Sequence, residues 1–244
     1  MNMNVSVNES KISSDVARLI EKSLTPDDQV RKEAYETFLR LGLPANKAEE
    51  YKDTPITRLL EKNFNLQSAA QQGNADPSPF LISTFEADVI VFINGFFSKE
   101  HSRIETSEIS ISSLKEAVEE RNPLVLKHLY AYADFKTDSL VAWNTAGWTE
   151  GIFIHIKKNQ SVDRPVIIHH IQDVNNDEVV TVTRNLIVSE PNSKFTLIEK
   201  FDSTGKSNHF SNHVTEAVVS ENAEINYYSL QNDSGNRYQY NLTQ

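Results

Sequence analysis

Apolar positions recur at helical spacing over the first seventy residues and give way to strand-like alternation after about residue 150. Val16, Leu19 and Ile20 share one face of a helix that the pattern starts near Ser14. Val30, Ala34, Phe38 and Leu41 form a second apolar stripe. Thr25 is placed to cap that helix, Pro26 to fill its first turn, and Asp27 and Asp28 to meet the positive end of its dipole. Gly42 and Pro44 end it. A third helix from about Pro55 groups Ile56, Leu59, Leu60 and Phe64. Residues 67–79 read as a polar linker. The run Val89 to Ile93 predicts a buried strand, and Asn94-Gly95 a tight turn before Phe96 and Phe97. Alternation from Ile104 to Ile111 predicts a further strand. Leu114, Ala117 and Val118 predict a short helix, Asn122-Pro123 the start of another, and Leu140, Trp143 and Trp148 a last one over about 137–148. Beyond Gly151 only strands and turns are predicted.

An internal repeat lies in that last stretch. Ile156, Val188 and Val219 each precede a short polar turn followed by a second apolar run: Val166 to Ile168, Thr196 to Ile198, and Asn226 to Tyr228. A strand–turn–strand unit recurring at this period predicts stacked coils that bury a shared apolar face. The alternative is three unrelated hairpins in an ordinary sandwich.

Composition narrows the chemistry. The 24 Lys and Arg face 34 Asp and Glu across 244 residues, a formal net charge of −10. An acidic chain repels phosphate backbones, and its densest basic spot, Lys157-Lys158 with Arg164, is small, so no nucleic-acid partner is expected. The absence of cysteine removes disulfides, thiolate nucleophiles and Cys-ligated metal centres from this polypeptide. No secretory leader or membrane-length apolar run is read, which makes the cytoplasm the expected compartment and no membrane partner expected.

Catalytic motifs are not found. No glycine pattern of a phosphate loop or dinucleotide fold can be written, and no nucleophile elbow. Asp173 to Asp177 imitates the start of a calcium loop, but Glu178 stands at the glycine position and Arg184 where a bidentate Glu is required. His169 and His170 are neighbours in a predicted strand and leave it on opposite faces, so they cannot share one ion. His209 and His213 are read as turn histidines in a polar segment. No metal site is therefore expected. Asp163, Glu190, Glu199, Glu216, Glu221 and Glu224 are the acids that a groove-forming polysaccharide lyase or hydrolase would use, since glycoside chemistry needs paired acids about 5–9 Å apart. They read instead as a solvated face. Trp143 and Trp148 read as core.

Arg31 to Pro44, followed by Lys47, Glu49-Glu50-Tyr51-Lys52 and Thr54, resembles the entry segment of SufD-type proteins of the SufB/SufD family. Val91 to Phe97 is similar to their first β-region strand. Trp143-Asn144-Thr145-Ala146, then Glu150-Gly151 to Ile156, resembles the family's junction Leu-Asn-Thr-Ala…Asp-Gly, with Trp and Glu as departures. Phe210 to Glu216 and Val219 to Ala223 are similar to its middle coils. The likeness runs from about residue 31 to about 230.

The resemblance implies an α+β fold: a helical N-terminal segment followed by a right-handed parallel β-helix, a β-solenoid truncated at its C-terminal end. The expected divisions are 1–80, a helical domain with the linker at 67–79; 81–150, a mixed strand and helix region; and 151–244, incomplete β-helix coils. The implied function is a non-catalytic scaffold subunit of cytoplasmic iron–sulfur cluster assembly, beside a SufB-type paralogue and the SufC ATPase. The paralogue would bind through the β-helix, and the ATPase through a C-terminal domain beyond Gln244. The open solenoid end near residues 225–242 is an expected site of self-association. No cofactor is expected on this chain alone, and a transient iron–sulfur cluster only in the complex. No family functional residue falls on a position of this chain; catalytic and metal residues are expected to be none.

Overall fold

The computed structural model describes residues 10–24, 28–45, 49–66, 70–175, 178–233 and 235–244. Thr25, Pro26, Asp27, Lys47, residues 67–69 of the polar linker, and Asn176 and Asp177 of the calcium-loop imitation lie outside them. The described helices are α1 (Lys11–Ser23), α2 (Gln29–Leu41), α3 (Ile56–Asn63), α4 (Leu114–Glu119), α5 (Pro123–His128) and α6 (Ser139–Gly147). The strands are β1 (Asp88–Ile93), β2 (Phe96–Arg103), β3 (Ile109–Ser113), β4 (Ile152–Ile156), β5 (Val166–Val174), β6 (Val179–Ser189), β7 (Lys194–Gly205), β8 (His209–Val219), β9 (Glu224–Gln231) and β10 (Arg237–Thr243). No helix among the described residues is long and apolar enough to cross a membrane.

Two compact units divide the chain. One takes Met1–Ala69 and Ala133–Trp148, and so unites α1, α2 and α3 with α6. The helix α6 is buried along its whole length, because Leu140, Val141, Trp143 and Ala146 leave it no polar face. Phe38 of α2 packs on Trp143 at 6.4 Å between ring centroids. Arg31 donates to the carbonyls of Ala146 at 3.0 Å and Trp148 at 2.8 Å, satisfying acceptors at the end of α6. The N-cap of α2 is Asp28, whose carboxylate accepts from the Arg31 amide at 3.0 Å. Helix α1 begins three residues before the expected Ser14.

The other unit takes Ala70–Tyr132 and Thr149–Gln244 and holds two sheets, ordered β2-β1-β5-β7-β9 and β10-β8-β6-β4-β3. Strands β5, β7 and β9 run parallel in the first, and β4, β6, β8 and β10 in the second. The repeat thus feeds one strand to each sheet in turn. Its phase differs from the sequence alignment by one residue: Ile156 pairs with Ser189, which pairs with Val219, while Val188 pairs with His155. A one-residue slip exchanges the faces of a strand, so Ser189 lies on the face of Ile156, and Val188 on the other. The turns hold the register visibly. Asn159, Asn192 and Asn222 each adopt positive φ, at 63°, 60° and 56°, a conformation that Asn tolerates well. Asn222 donates to Asn192 at 3.3 Å, and Asn192 to Asn159 at 2.9 Å.

The expected right-handed parallel β-helix is corrected by this topology. The protein is an α/β fold with two mixed five-stranded sheets, each completed by an antiparallel strand: β2 on β1, and β3 on β4. The sequence repeat sets the spacing between paired parallel strands. It carries no information on the number of sheets, nor on the strands that residues 88–113 add to both. The expected strand over Ile104 to Ile111 is corrected in its bounds: its last three residues open β3, and residues 104–108 lie outside any strand. Strand β2 ends at Arg103 because the amides of Glu105 and Thr106 turn to donate to the buried Asp88 carboxylate at 2.9 and 3.2 Å.

Between the sheets the strand faces separate into two halves. One is aliphatic and aromatic: Ile90, Phe92, Ile152, Ile154, Val166, Ile168, Ile187, Phe195 and Leu197 form a single buried cluster. The other is polar, and contains the candidate site.

Candidate functional site

Alternation along three strands carries polar side chains into the space between the sheets. On β5, Ile168 is followed at the next inward position by His170; on β7, Leu197 by Glu199 and then Phe201. On β8, His209, Ser211, His213 and Thr215 share one face, opposite Thr181, Thr183 and Asn185 of the neighbouring β6. All of these residues are buried.

Glu199 sits at the centre. Asn185 donates to its Oε1 at 2.8 Å, Thr215 at 3.3 Å, and His213 Nε2 lies 3.0 Å from the same oxygen. The Tyr227 hydroxyl of β9 donates to Oε2. Burial alone would raise the Glu199 carboxyl, but the neighbouring His213, His170 and Tyr227 outweigh it and hold the group below the usual carboxylate range. His213 Nδ1 meets the Thr183 hydroxyl at 2.7 Å, so its ring is fixed at both nitrogens.

His170 stacks between Phe201 at 4.8 Å and Phe92 at 5.4 Å, and its ring stands edge-on to His213 at 4.9 Å. Burial, with His213 adding, pushes His170 down to about 3, so the imidazole is neutral. Its buried Nε2 has no hydrogen-bond partner among the described residues, and the same holds for Gln172 Oε1, His209 Nδ1 and Ser211 Oγ. Four such atoms in one polar space are unusual in a folded interior. His170, Glu199 and His213 each bring a potential ligand atom within 4.8 Å of the other two.

The remaining sequence candidates are placed elsewhere. His169 leaves β5 on the opposite face from His170, as alternation requires, and pairs there with Asp202 at 2.7 Å, within reach of Lys200. The turn reading of His209 and His213 is corrected: both belong to β8 and are enclosed. The solvated-face reading of the acids holds for Asp163, Glu221 and Glu224, which are exposed, and for the half-exposed Glu190, which pairs with His155 at 3.0 Å. It fails for Glu199 and Glu216, both fully enclosed. Glu199 shares the parity of Leu197 and Phe201, which is the signal that sequence reasoning passed over. Of the small basic spot, Arg164 is balanced by Glu86, Asp88 and Glu105 at 3.2, 3.1 and 3.0 Å, while Lys157 and Lys158 are exposed. Trp143 and Trp148 are core. Asp173 accepts from the Asn74 amide at 2.9 Å and from Asn175 at 2.7 Å, tying neighbouring segments together.

Comparison with known proteins places the two parts of the chain consistently. Residues 11–168 match the family model described as the SufBD protein N-terminal region. Residues 170–244 match that of the SUF system FeS cluster assembly, SufBD core domain. Among curated proteins, the chain is 25% identical to the iron–sulfur cluster assembly SufBD family protein slr0076 of Synechocystis sp., over 95% of this chain and 54% of that protein. It is likewise 25% identical to slr0074 of the same organism, over 91% of this chain and 50% of the relative. With the SufBD family protein ycf24 of Trieres chinensis it shares 24% identity, over 90% of this chain and 39% of the relative. The chain thus spans about half the length, or less, of these relatives. With one model covering well over half of its residues and a second continuing to Gln244, this chain belongs to the SufBD family.

Proposed function

We propose that this chain is a SufD-type scaffold component of cytoplasmic iron–sulfur cluster assembly, working with a SufB-type paralogue and a SufC-type ATPase and turning over no substrate itself. The observation that carries the reading is the pair of family matches in chain order, N-terminal region and then core domain. The SufD-type assignment rests on the entry segment from Arg31 to Pro44 and Glu49 to Thr54. A chain without cysteine offers His, Asp and Glu alone, which are poor sole ligands for an iron–sulfur cluster, so the thiolates come from the partner. The non-catalytic reading draws support from Glu216, whose carboxylate is occupied by Arg184 and two backbone amides instead of facing a groove. Strands β9 and β10 are the edges of their sheets, and Tyr228 and Leu230 are exposed on β9. Unpaired strand edges with apolar side chains suit contact with another strand-rich subunit.

The test is co-expression of the tagged chain with SufB-type and SufC-type proteins from the same source, followed by anaerobic iron and sulfide reconstitution. The expected result is co-purification of the SufB-type subunit and a cluster absorption band in the complex, with none from the chain alone. Failure of the SufB-type subunit to associate would overturn the assignment. A stoichiometric cluster on the isolated chain would overturn the dependence on partner thiolates.

A further inference from the structure

We propose that His170, Glu199 and His213 bind one divalent first-row transition-metal ion, of the zinc or ferrous class, between the two sheets. The proposal concerns the isolated chain and stands apart from the assembly role above.

Four observations carry it. The first is the donor set: two imidazoles and one carboxylate, the combination that suits zinc and non-haem iron, whereas calcium and magnesium take shells of oxygen. The second is proximity. The three ligand atoms lie within 4.8 Å of one another, with His213 Nε2 and Glu199 Oε1 already 3.0 Å apart. Around zinc, ligands at about 2.1 Å stand roughly 3.4 Å from each other, so a side-chain adjustment of about an ångström closes the site. The third is His170 Nε2, buried in a residue only 3% exposed and without a partner among the described residues. With the ring proton on Nδ1, this unpartnered Nε2 carries an unused lone pair, which is what a metal requires.

The fourth is charge. Glu199 is fully enclosed, and its hydrogen-bond partners Asn185, Thr215 and Tyr227 are neutral, leaving the imidazole of His213 as the one titratable base bonded to it among the described residues. Those partners leave the charge of the carboxylate inside the fold, where a divalent ion would balance it directly.

The surroundings fit the ligand roles. When His213 Nε2 coordinates, its Nδ1 carries the proton and donates to Thr183 Oγ1, at 2.7 Å; the hydroxyl serves either tautomer. Asn185 and Tyr227 orient the two oxygens of Glu199. Phe92 and Phe201 hold the His170 ring on both sides. His170 and Glu199 come from one sheet and His213 from the other, so the ion would tie the sheets together, and binding would add to folding stability.

The experiment uses the whole chain, stripped with a chelator and titrated with zinc chloride by calorimetry and with cobalt chloride by visible absorption. One equivalent of each should bind, cobalt should give the d–d band of a nitrogen and oxygen site, and the thermal midpoint should rise with free zinc. The variant His170→Phe retains the stacked ring between Phe92 and Phe201 and removes the donor. It should stay folded and lose zinc affinity by about a hundredfold or more. Glu199→Gln, judged by the same titrations, provides a second reading should His170→Phe not fold. His101→Gln, remote in the sequence from the triad, should bind as the parent does. Absence of stoichiometric zinc and cobalt binding by the parent chain, or unchanged affinity in a folded His170→Phe or Glu199→Gln protein, would overturn the proposal.

Discussion

Removal of the Glu216 carboxylate should unfold the sheet unit, and the cost can be built up from its contacts. Glu216 on β8 and Arg184 on β6 are both fully enclosed. The carboxylate accepts from Arg184 Nε at 3.1 Å and Nη2 at 2.8 Å, and from the backbone amides of Tyr130 at 2.9 Å and Tyr132 at 2.8 Å. The guanidinium also lies 4.9 Å from the centre of the Tyr130 ring. One side chain therefore balances a buried charge and anchors the segment that follows α5. In Glu216→Ala the guanidinium loses its counter-charge, which costs about 3–5 kcal/mol in a buried pair. Each amide that finds no new acceptor adds about 1–3 kcal/mol. Against a domain stability of about 5–15 kcal/mol, that sum exhausts most of the margin. Arg184→Met should cost less, because the carboxylate keeps its two amide donors. The double variant Arg184→Met with Glu216→Gln should be the mildest of the three, since no charge remains and the Gln carbonyl still accepts from one amide. Urea unfolding followed by far-ultraviolet circular dichroism gives the global cost. Hydrogen exchange at Tyr130 and Tyr132 reads the sheet unit, and the fluorescence of Trp143 and Trp148 reads the helical one. A Glu216→Ala protein within about 1 kcal/mol of the parent, or a double variant that costs more than Arg184→Met alone, would refute the reasoning.

Two further outcomes follow from the sheet unit. Burial, with Arg237 and His170 adding, holds His209 down to about 3 in the folded chain, below the 6.5 of an unperturbed histidine. The folded form then binds fewer protons than the unfolded one between those values. Stability should be unaffected by this group above pH 6.5 and should fall by about 1.4 kcal/mol per pH unit below it. Urea midpoints measured from pH 7.5 to 4.5 check this, and a His209→Gln variant should show a shallower fall; an equal slope would count against the assignment. Gly151→Ala should disrupt the entry to β4, because a Cβ there would stand 1.6 Å from the Arg184 carbonyl oxygen. Thermal unfolding should show a loss of several kcal/mol, whereas Gly235→Ala, with φ at +79° and no atom closer than 4.0 Å to the new Cβ, should cost only the roughly 1–2 kcal/mol of its left-handed backbone.

The helices were legible in the sequence because their signals are local. The C-terminal stop at Gly42, the Asn122 cap ahead of Pro123, and the apolar run Leu140 to Trp143 of α6 each act within a turn or two of the chain. The start of α2 was displaced because Thr25 and Asp28 are both competent caps, and the Asp28 carboxylate meets the Arg31 amide. Strand ends were less legible for a different reason. The break after Arg103 is made by Asp88, a residue from another strand, and no local pattern shows that contact. The repeat was visible, but its alignment on Val188 instead of Ser189 inverted a face, since hydrophobicity favours Val although Ser189 occupies the inward position. The inferred coil geometry then replaced the two mixed sheets that the pairing shows. The candidate site was half legible. Parity alone marks Glu199 as inward beside Leu197 and Phe201. That it meets His213 depends on how the two sheets face each other, which strand periodicity does not contain.

The division of the interior into an apolar and a polar half bears on where selection can act in this fold. The cluster around Ile90, Ile154, Ile168, Ile187 and Leu197 removes apolar surface from water and supplies the driving force for pairing the sheets. The half built from His170, Gln172, Glu199, His209, Ser211 and His213 opposes folding, since four of its buried polar atoms lack partners among the described residues and each costs about 1–3 kcal/mol. Apolar residues at those inward positions would give the more stable protein, as buried polar groups replaced by well-packed hydrophobes often show. A polar layer retained at such expense, and arranged around two imidazoles and a carboxylate that converge, points to chemistry that needs those donors. The apolar half permits it: it holds the strands in register, so that the ligand-bearing positions of β5, β7 and β8 keep their places whether or not an ion is present.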